Sequence, residues 1–219
     1  MSEIGIAVVG TGYIGGEHIK VIAAHEQARL EVICSTARSE GQAKALQEAY
    51  GAKRVSTRYE DVVGDEAVDV VYLCTPNSQH VEQAVRALEG GKHVFVEKPL
   101  AVTVADCARI VAAARDSGGQ VMVGHGARFS KIFVAVHKLV QDGMLGEACF
   151  VEGDYVHDLG PFLDLPGHDW WMDAEREGQL PIIGGACHPL DLMRWIAGEI
   201  VEVSAYGANR NIPAAPWCD

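Results

Sequence analysis

The feature that most constrains this chain is a glycine-rich turn between a predicted strand and a predicted helix. The apolar run Ile4–Val9 is typical of a buried strand, and a G-x-G-x-x-G sequence follows it directly. In such a turn the first glycine permits a tight bend, the second admits a pyrophosphate, and the third lets helix and strand pack closely. The start of the helix offers free N–H groups to phosphates. The predicted dinucleotide-binding residues are Gly10, Gly12, Tyr13, Ile14 and Gly15. The alternative is a purely structural glycine turn in another α/β fold.

Predicted strands and helices alternate over the first half of the chain. The predicted strands are Ile4–Val9, Leu30–Cys34, Val68–Cys74, His93–Val96 and Gln120–Val123. The predicted helices are Ile14–Ala24, Glu40–Tyr50, Ser78–Glu89 and one that ends near Arg115. Thr103 and Asp106 form a variant of the capping box at the start of the last helix. This alternation predicts a doubly wound parallel sheet of the Rossmann type, in the α/β class.

The pattern changes near Gly124. The elements predicted beyond it are a helix over Ser130–Gln141, a strand over Ala148–Val156, a long irregular segment over His157–Gln179, a helix that ends near Ala197 and a strand over Val201–Tyr206. We therefore predict a dinucleotide-binding domain over residues 1–124 and a second domain over residues 125–219.

Composition excludes several classes of partner. The chain has 219 residues and a formal net charge of −12, which disfavours nucleic acid and anionic membrane surfaces. It contains no apolar run long enough to span a membrane, and its first apolar run is expected to be a strand rather than a secretion signal. Its six cysteines form no C-x-x-C pair, and no His/Cys cluster has metal-ligand spacing. We expect reduced cysteines, no metal and a cytoplasmic protein.

The end of the second predicted strand should indicate which dinucleotide binds. An Asp or Glu at this place favours NAD, because it hydrogen-bonds the ribose hydroxyls. Here the sequence offers Ser35, Thr36 and Arg38 and no acidic residue. Small hydroxyl side chains with an arginine suit a 2′-phosphate, so the sequence favours NADP over NAD. If Arg38 is only a solvated surface charge, either cofactor could bind.

Three further motifs resemble those of a known family. They are Cys74-Thr75-Pro76-Asn77 with His80, then Glu97-Lys98-Pro99, then Gly184-Gly185-Ala186-Cys187-His188 with Asp191. With the glycine turn, their order and spacing resemble the Gfo/Idh/MocA family of NAD(P)-dependent oxidoreductases over essentially the whole chain. The resemblance implies hydride transfer between a nicotinamide and a hydroxyl or carbonyl carbon of a sugar, inositol or related polyol.

The resemblance also implies which residues of the first domain face the nicotinamide. The residues expected beside the cofactor are Thr75, Pro76, Asn77, His80, Glu97 and Lys98. Lys98 is expected to polarise the reacting oxygen and to help move its proton, and a cis Lys98-Pro99 bond would fix its direction. The alternatives are a structural proline turn capped by Asn77 and a solvated lysine at a strand end.

In the second domain, the resemblance makes His188 the general acid or base. The ordinary pKa of histidine suits proton transfer near neutral pH. Asp191 lies three residues later on the same helical face and is the carboxylate expected to orient His188, although a purely structural His–Asp pair remains open. The sequence departs from the family at Gly184, where many relatives have an aspartate that shares the catalytic work. Either Asp191 or another carboxylate therefore orients His188, or the proton route is simpler.

The remaining candidates also lie in the second domain. Arg128 is expected either to reach the cofactor or an anionic substrate group, or to form a structural ion pair. Tyr155, His157 and Trp171, together with Lys98 and His188, are expected to line the sugar pocket, since aromatic faces suit carbohydrate C–H surfaces. Core packing is the alternative for at least one of the tryptophans Trp170 and Trp171.

Two expectations concern the whole protein. The family's second domain is of α+β type and continues into several more strands of an open, largely antiparallel sheet, so we expect this chain to be truncated and unstable as an enzyme on its own. The resemblance also implies a dimer or tetramer built through that sheet. Two other functions stay open on the same scaffold: an NAD-dependent glycosidase that uses transient oxidation, and a non-catalytic dinucleotide sensor. The presence of Lys98 and His188 argues against the sensor.

Overall fold

The computed structural model describes residues 3–158, 160–163, 169–177, 180–210, 212 and 215–218. The chain forms two compact units, Met1–Gly124 and His125–Asp219.

The first unit contains a sheet of six parallel strands. They are β1 (Ile4–Val9), β2 (Ala28–Cys34), β3 (Arg54–Ser56), β4 (Val70–Leu73), β5 (His93–Val96) and β6 (Val121–Val123). Their spatial order is β3-β2-β1-β4-β5-β6, and every neighbouring pair is parallel. Successive strands are added in one direction from β1 to β3 and in the opposite direction from β4 to β6, so the switch point lies between β1 and β4. Ligands gather at such a point in open α/β sheets. The predicted Rossmann sheet is confirmed.

Helices connect these strands. They are α1 (Tyr13–Ala23), α2 (Glu40–Tyr50), α3 (Glu60–Val63), α4 (His80–Glu89) and α5 (Val104–Ser117). The predicted capping box of α5 is confirmed, because Thr103 Oγ1 accepts from the Asp106 N–H at 3.1 Å and donates to Asp106 Oδ2 at 2.8 Å. Strand β3 and helix α3 were missed, because both are short and β3 contains a single apolar residue, Val55.

The sheet of the first unit is buried on both faces. Val9, Leu73 and Val96 pack on one face with residues of α4 and α5. Val8 and Ile33 pack on the other face with residues of α1 and α2. Burial on both faces explains why the strands appear in the sequence as nearly continuous apolar runs.

The regular secondary structure in the described part of the second unit is helical, and its residues 142–158 and 198–210 form neither helix nor strand. Its helices are α6 (Lys131–Gln141), α7 (Gly160–Leu163), α8 (Ala174–Glu177) and α9 (Cys187–Ala197), and a π-helical segment over Leu180–Ala186 precedes α9. Residues 159, 164–168, 178 and 179 of the predicted irregular segment lie outside the described residues. No helix within the described ranges is long and apolar enough to cross a membrane.

The strands predicted over Ala148–Val156 and Val201–Tyr206 are wrong. Both segments are exposed throughout and form no strand within the described residues of this unit. An extended apolar segment becomes a strand only when a neighbour completes its hydrogen-bond ladder, and the described residues provide no such neighbour for either segment.

Candidate functional site

The three glycines of the turn after β1 have different surroundings. Gly10 has a φ of +101°, and a Cβ there would lie 2.3 Å from the Cys74 carbonyl oxygen. A Cβ at Gly15 would lie 2.1 Å from the carbonyl oxygen of Gly10, whereas a Cβ at Gly12 would meet no atom within 4 Å. The fold itself therefore requires Gly10 and Gly15, and only Gly12 opens onto free space.

Helix α1 begins at this open glycine. Gly12 is its N-cap residue and makes no side-chain capping bond, and Tyr13 and Ile14 in the first turn are exposed. The first N–H groups of an α-helix have no partner within the helix. An open glycine followed by these donors and by the positive end of the helix dipole can hold the pyrophosphate of a dinucleotide.

The segment after β2 presents hydroxyl groups and a cation. Ser35 is buried and its Oγ donates to the Thr36 carbonyl at 3.2 Å, while Thr36 Oγ1 lies 2.9 Å from Ser39 Oγ. Arg38 is exposed and forms no salt bridge within the part of the chain that the structure describes. This arginine is therefore available to an anionic group on a ligand.

The turn after β4 is held by side chains of α4. Thr75 Oγ1 donates to Gln83 Oε1 at 2.6 Å, and Asn77 is buried. His80 is fully buried, with Nδ1 2.9 Å from the Pro99 carbonyl oxygen and Nε2 3.0 Å from the Thr75 carbonyl oxygen. Burial lowers the pKa of His80, opposed by these carbonyls and by the charge of Glu97. The ring thus links two loops from inside the protein.

The Lys98 turn, residues 97–99, follows β5. Lys98 is half-buried, and the Lys98-Pro99 peptide bond is cis, as the sequence predicted. Glu97 Oε1 lies 2.7 Å from His18 Nε2, and Glu97 Oε2 accepts from the Lys98 N–H at 3.2 Å. Sequence reasoning missed His18. The signal was its position three residues after Gly15, beside the buried Ile19 of α1.

In the second unit, three of the predicted pocket residues lie together. The rings of Tyr155 and His188 stack with centroids 5.9 Å apart, and the rings of Tyr155 and His157 meet edge to face at 5.8 Å. A Cβ at Gly185 would lie 2.6 Å from Tyr155 Cε1, so the glycine lets this ring approach. His188 lies in the first turn of α9, one residue after the helix begins.

Asp191 is bound to Arg128. Arg128 Nε donates to Asp191 Oδ2 at 2.7 Å and Nη2 donates to Oδ1 at 2.6 Å, which is a two-point ion pair. The guanidinium also lies 5.7 Å from the ring centroid of Trp195. The ring of His137 stacks on the ring of Trp195, with centroids 3.9 Å apart. The structural ion pair that the sequence left open for Arg128 is therefore formed.

Trp171 lies in a separate apolar cluster of the second unit. It packs with Met172 against the buried residues Ala215 and Trp217, and its ring meets that of Trp170 edge to face at 6.3 Å. Core packing, the alternative left open by the sequence, therefore describes Trp171. All six cysteines of the chain are free thiols.

Comparison with known proteins gives matches over both units. Residues 4–125 match the family model described as an oxidoreductase family with an NAD-binding Rossmann fold, and residues 133–215 match the GFO/IDH/MocA C-terminal domain. Inositol 2-dehydrogenase of Salmonella paratyphi B is 30% identical over 88% of this chain and 54% of its own length. A 2,7-anhydro-N-acetylneuraminate hydratase of Escherichia coli is 33% identical over 94% of this chain and 53% of its own length.

A solved structure has the same fold. Levoglucosan dehydrogenase in complex with NADH and L-sorbose superposes with a TM-score of 0.84 at 25% identity, covering 91% of this chain and 55% of that one. The chain spans about half the length of the curated relatives that it matches.

Proposed function

The chain belongs to the Gfo/Idh/MocA family of oxidoreductases, and on this premise we propose that it transfers a hydride between a nicotinamide cofactor and a sugar, inositol or related polyol. In this proposal residues 1–124 bind the dinucleotide. Residues 125–219 contribute to substrate binding and to assembly of a homodimer or tetramer in the cytoplasm, the compartment that six free thiols suit.

The observation that supports the proposal most strongly is the position of Lys98 in the sheet. The glycine turn follows β1, and the Lys98 turn follows β5. The turn that contains Thr75, here called the Thr75 turn, follows β4. These three strands are neighbours and parallel, so the residues that follow them lie at one edge of the sheet. The half-buried Lys98 is thereby brought to the edge at which the dinucleotide is proposed to bind.

Each functional residue receives a role in this proposal. Lys98 polarises the reacting oxygen of the substrate, and His188 takes the hydroxyl proton during oxidation or returns it during reduction. When bound, the nicotinamide accepts or supplies the hydride. Tyr155, which stacks on His188, and His157, which meets Tyr155 edge to face, are proposed to bind the sugar. The Arg128–Asp191 pair is proposed to fix the start of α9, so that Asp191 acts on His188 by holding its helix.

Turnover of the variant Lys98→Ala tests this function. The protein is assayed with NAD and NADP against a panel of inositols, sugars and sugar acids, by the absorbance of reduced nicotinamide. We expect Lys98→Ala to lower turnover by about a hundredfold or more, because a cation at the reacting oxygen is lost, while the cofactor Kd stays unchanged. Lys138→Ala, on the exposed face of α6, is the matched control. Wild-type turnover in Lys98→Ala would contradict the role of the lysine.

We further propose that NADP is the preferred cofactor. Ser35, Thr36 and the unpaired Arg38, which forms no salt bridge with any described residue, suit a 2′-phosphate. Arg38→Ala should weaken NADP binding by about tenfold or more and leave NAD binding unchanged, because one charge-assisted contact is lost. Arg115→Ala, at the exposed end of α5, is the control. Equal loss for both cofactors would contradict the assignment.

A second candidate function is a reaction without net oxidation. The Escherichia coli relative is named as a hydratase, so a related scaffold is associated with a non-redox product. An NAD-dependent glycosidase or lyase would convert its substrate without accumulating reduced cofactor. Product formation at constant nicotinamide absorbance would favour this candidate over the dehydrogenase.

A further inference from the structure

Two histidines from different helices hold the residues on either side of Lys98. His18 lies on α1 and donates from Nε2 to Glu97 Oε1 at 2.7 Å. His80 is the first residue of α4 and places Nδ1 2.9 Å from the Pro99 carbonyl oxygen. The backbone before and after the lysine is therefore attached to two helices, and these helices begin at the glycine turn and just after the Thr75 turn.

The attachment on the Glu97 side reaches the backbone of the lysine itself. One carboxylate oxygen of Glu97 faces His18, and the other accepts from the Lys98 N–H at 3.2 Å. The side chains of His18 and Glu97 are 23% and 13% exposed, so water competes little for this bond. Through these two bonds, Glu97 fixes the backbone of Lys98 relative to helix α1.

Aromatic packing fixes the ring of His18. It meets Phe95 and Tyr72 edge to face, with centroids 5.1 Å and 5.5 Å apart, and these two rings stack on each other at 4.5 Å. A Cβ at Gly124 would lie 3.0 Å from Glu97 Oε1 and 3.1 Å from Phe95 Cζ. The His18–Glu97 pair therefore packs closely against aromatic side chains of β4 and β5 and against the glycine after β6.

The attachment on the Pro99 side is fully inside the protein. His80 has no exposed surface, and its second nitrogen lies 3.0 Å from the Thr75 carbonyl oxygen. The ring therefore joins the turn after β4 to the turn after β5 without reaching solvent. A residue buried in this way acts on a bound ligand only through the loops that it holds.

We propose that His18 and His80 are positioning residues for Lys98, which they hold at a fixed place relative to both the glycine turn and the Thr75 turn. This inference rests on the proposed role of Lys98. It removes His80 from the predicted cofactor contacts and gives Glu97 the task of linking His18 to the lysine. The competing explanation is that both histidines only stabilise the fold.

Paired variants separate the two explanations. His18→Phe keeps an aromatic ring beside Tyr72 and Phe95 but removes the donor to Glu97, and His18→Gln restores a donor without the ring. His80→Gln keeps a donor in the buried position, and His80→Phe removes it. His25→Phe, at an exposed histidine just after α1, is the control. Each variant is assayed for kcat, for the KM of the polyol, for the cofactor Kd and for melting temperature.

We expect His18→Phe to lower kcat by about ten- to a hundredfold with the cofactor Kd unchanged, because a small displacement of a catalytic group costs rate rather than cofactor affinity. His18→Gln should recover most of the loss. His80→Phe should behave as His18→Phe does, and His80→Gln should fall between it and the wild type. A uniform fall in melting temperature with kcat unchanged would overturn the proposal.

A measurement that does not depend on turnover distinguishes failure of this inference from failure of the proposed function. Hydrogen exchange at the Lys98 backbone N–H reports its bond to Glu97 and should quicken by about tenfold in His18→Phe, as protection is lost. It should stay at the wild-type rate in His25→Phe. If Lys98→Ala retains turnover but the Lys98 N–H still exchanges faster in His18→Phe, the proposed role of Lys98 fails and the attachment through Glu97 stands. An unchanged exchange rate in both His18 variants overturns the attachment.

Discussion

The two units of this chain differ in how they use their apolar residues. In the first unit, Val8, Val32 and Leu73 are completely buried between a sheet and the helices on its faces. In the second unit, Val201 and Tyr206 are fully exposed, and the buried apolar residues among those described are Leu192, Ala215 and Trp217. The first unit thus buries the apolar side chains of its strands within itself. Contacts within the described second unit leave many of its apolar side chains exposed.

The largest expected effect separates chemistry in the second unit from cofactor binding in the first. His188→Gln should lower kcat by about a hundred- to ten-thousandfold, because it removes the proposed proton acceptor. The cofactor Kd should not change, since the proposed cradle lies wholly in the first unit. Steady-state kinetics and titration of reduced nicotinamide fluorescence measure the two quantities. His137→Phe, which keeps a ring stacked on Trp195, is the control, and turnover of His188→Gln within a few-fold of wild type would refute the role.

The next effect divides the first unit into residues required by the fold and residues required by the ligand. Gly10→Ala should reduce the free energy of unfolding by about 3 kcal/mol or more, because of its positive φ and its contact with Cys74. Gly12→Ala should leave stability within about 1 kcal/mol, since open space surrounds it and its φ is −63°.

Gly12→Ala should have a small effect on stability but a large effect on cofactor binding. Its alanine variant should bind the dinucleotide about tenfold or more weakly, because the methyl group occupies the space proposed for the pyrophosphate. Gly16→Ala, within α1 and free of close neighbours, should add about 0.5–1 kcal/mol of stability and leave binding unchanged. Chemical denaturation and cofactor titration test both variants. Equal stability losses at positions 10 and 12 would remove the distinction.

Thiol reactivity tests the difference in burial directly. Burial, with smaller effects from the charges of Asp61 and Glu60, raises the pKa of Cys34 from 9.0 to about 11. At neutral pH its thiolate fraction is therefore about a hundredfold lower than that of an ordinary cysteine. Cys149 in the second unit is exposed. Timed alkylation followed by mass spectrometry should label Cys149 about a hundredfold faster or more. Equal rates would mean that Cys34 is as accessible and as reactive as the exposed Cys149.

The smallest effect concerns the part of the first unit that the sequence did not predict. Arg54 on β3 donates to Asp65 Oδ2 at 2.6 Å, and this bond, with a second from the Ala67 N–H, lowers the pKa of Asp65. A lowered carboxyl pKa adds stability above the unfolded pKa of about 3.9, and this stability is lost as pH falls through the folded pKa.

Asp65→Asn should therefore reduce the free energy of unfolding by about 0.5–1 kcal/mol at neutral pH, because the partly exposed pair is screened by water. The difference from wild type should shrink as pH falls below the unfolded pKa of about 3.9 and vanish once pH lies below the lowered pKa of folded Asp65, where the wild-type carboxyl is neutral in both states. Urea unfolding at several pH values measures it, with the exposed Glu66→Gln as control. A difference that persists at low pH would assign the effect to packing rather than to charge.

The sequence predicted those features that depend on local pattern. The strand Ile4–Val9 and the helix Glu40–Tyr50 have the predicted limits, because their apolar periodicity and the stop at Gly51 are local signals. The strand over Arg54–Ser56 was missed because three residues with one apolar side chain give no periodicity. Its existence depends on pairing with β2.

The site divides in the same way. The tight turn at Gly10 and the close packing at Gly15 are confirmed, since both follow from the backbone, and the pyrophosphate contact at Gly12 stays a prediction. The partner of Asp191 was not, because spacing along α9 indicated His188, whereas the arginine that binds the carboxylate lies 63 residues earlier. His18 and Glu97, 79 residues apart, meet only after the sheet forms. Local spacing placed His18 near the glycine turn, but a contact across such a separation depends on tertiary packing, so spacing along one helix does not identify the partner.

The placement of the tryptophans, Trp195 among them, has an optical consequence. All four tryptophans of the chain, at positions 170, 171, 195 and 217, belong to the second unit. Intrinsic tryptophan emission is therefore blind to the Rossmann sheet, whose transitions appear in circular dichroism instead. Without any label, emission reports the melting of the second unit and ellipticity reports both units, so a loss of ellipticity at constant emission belongs to the first unit.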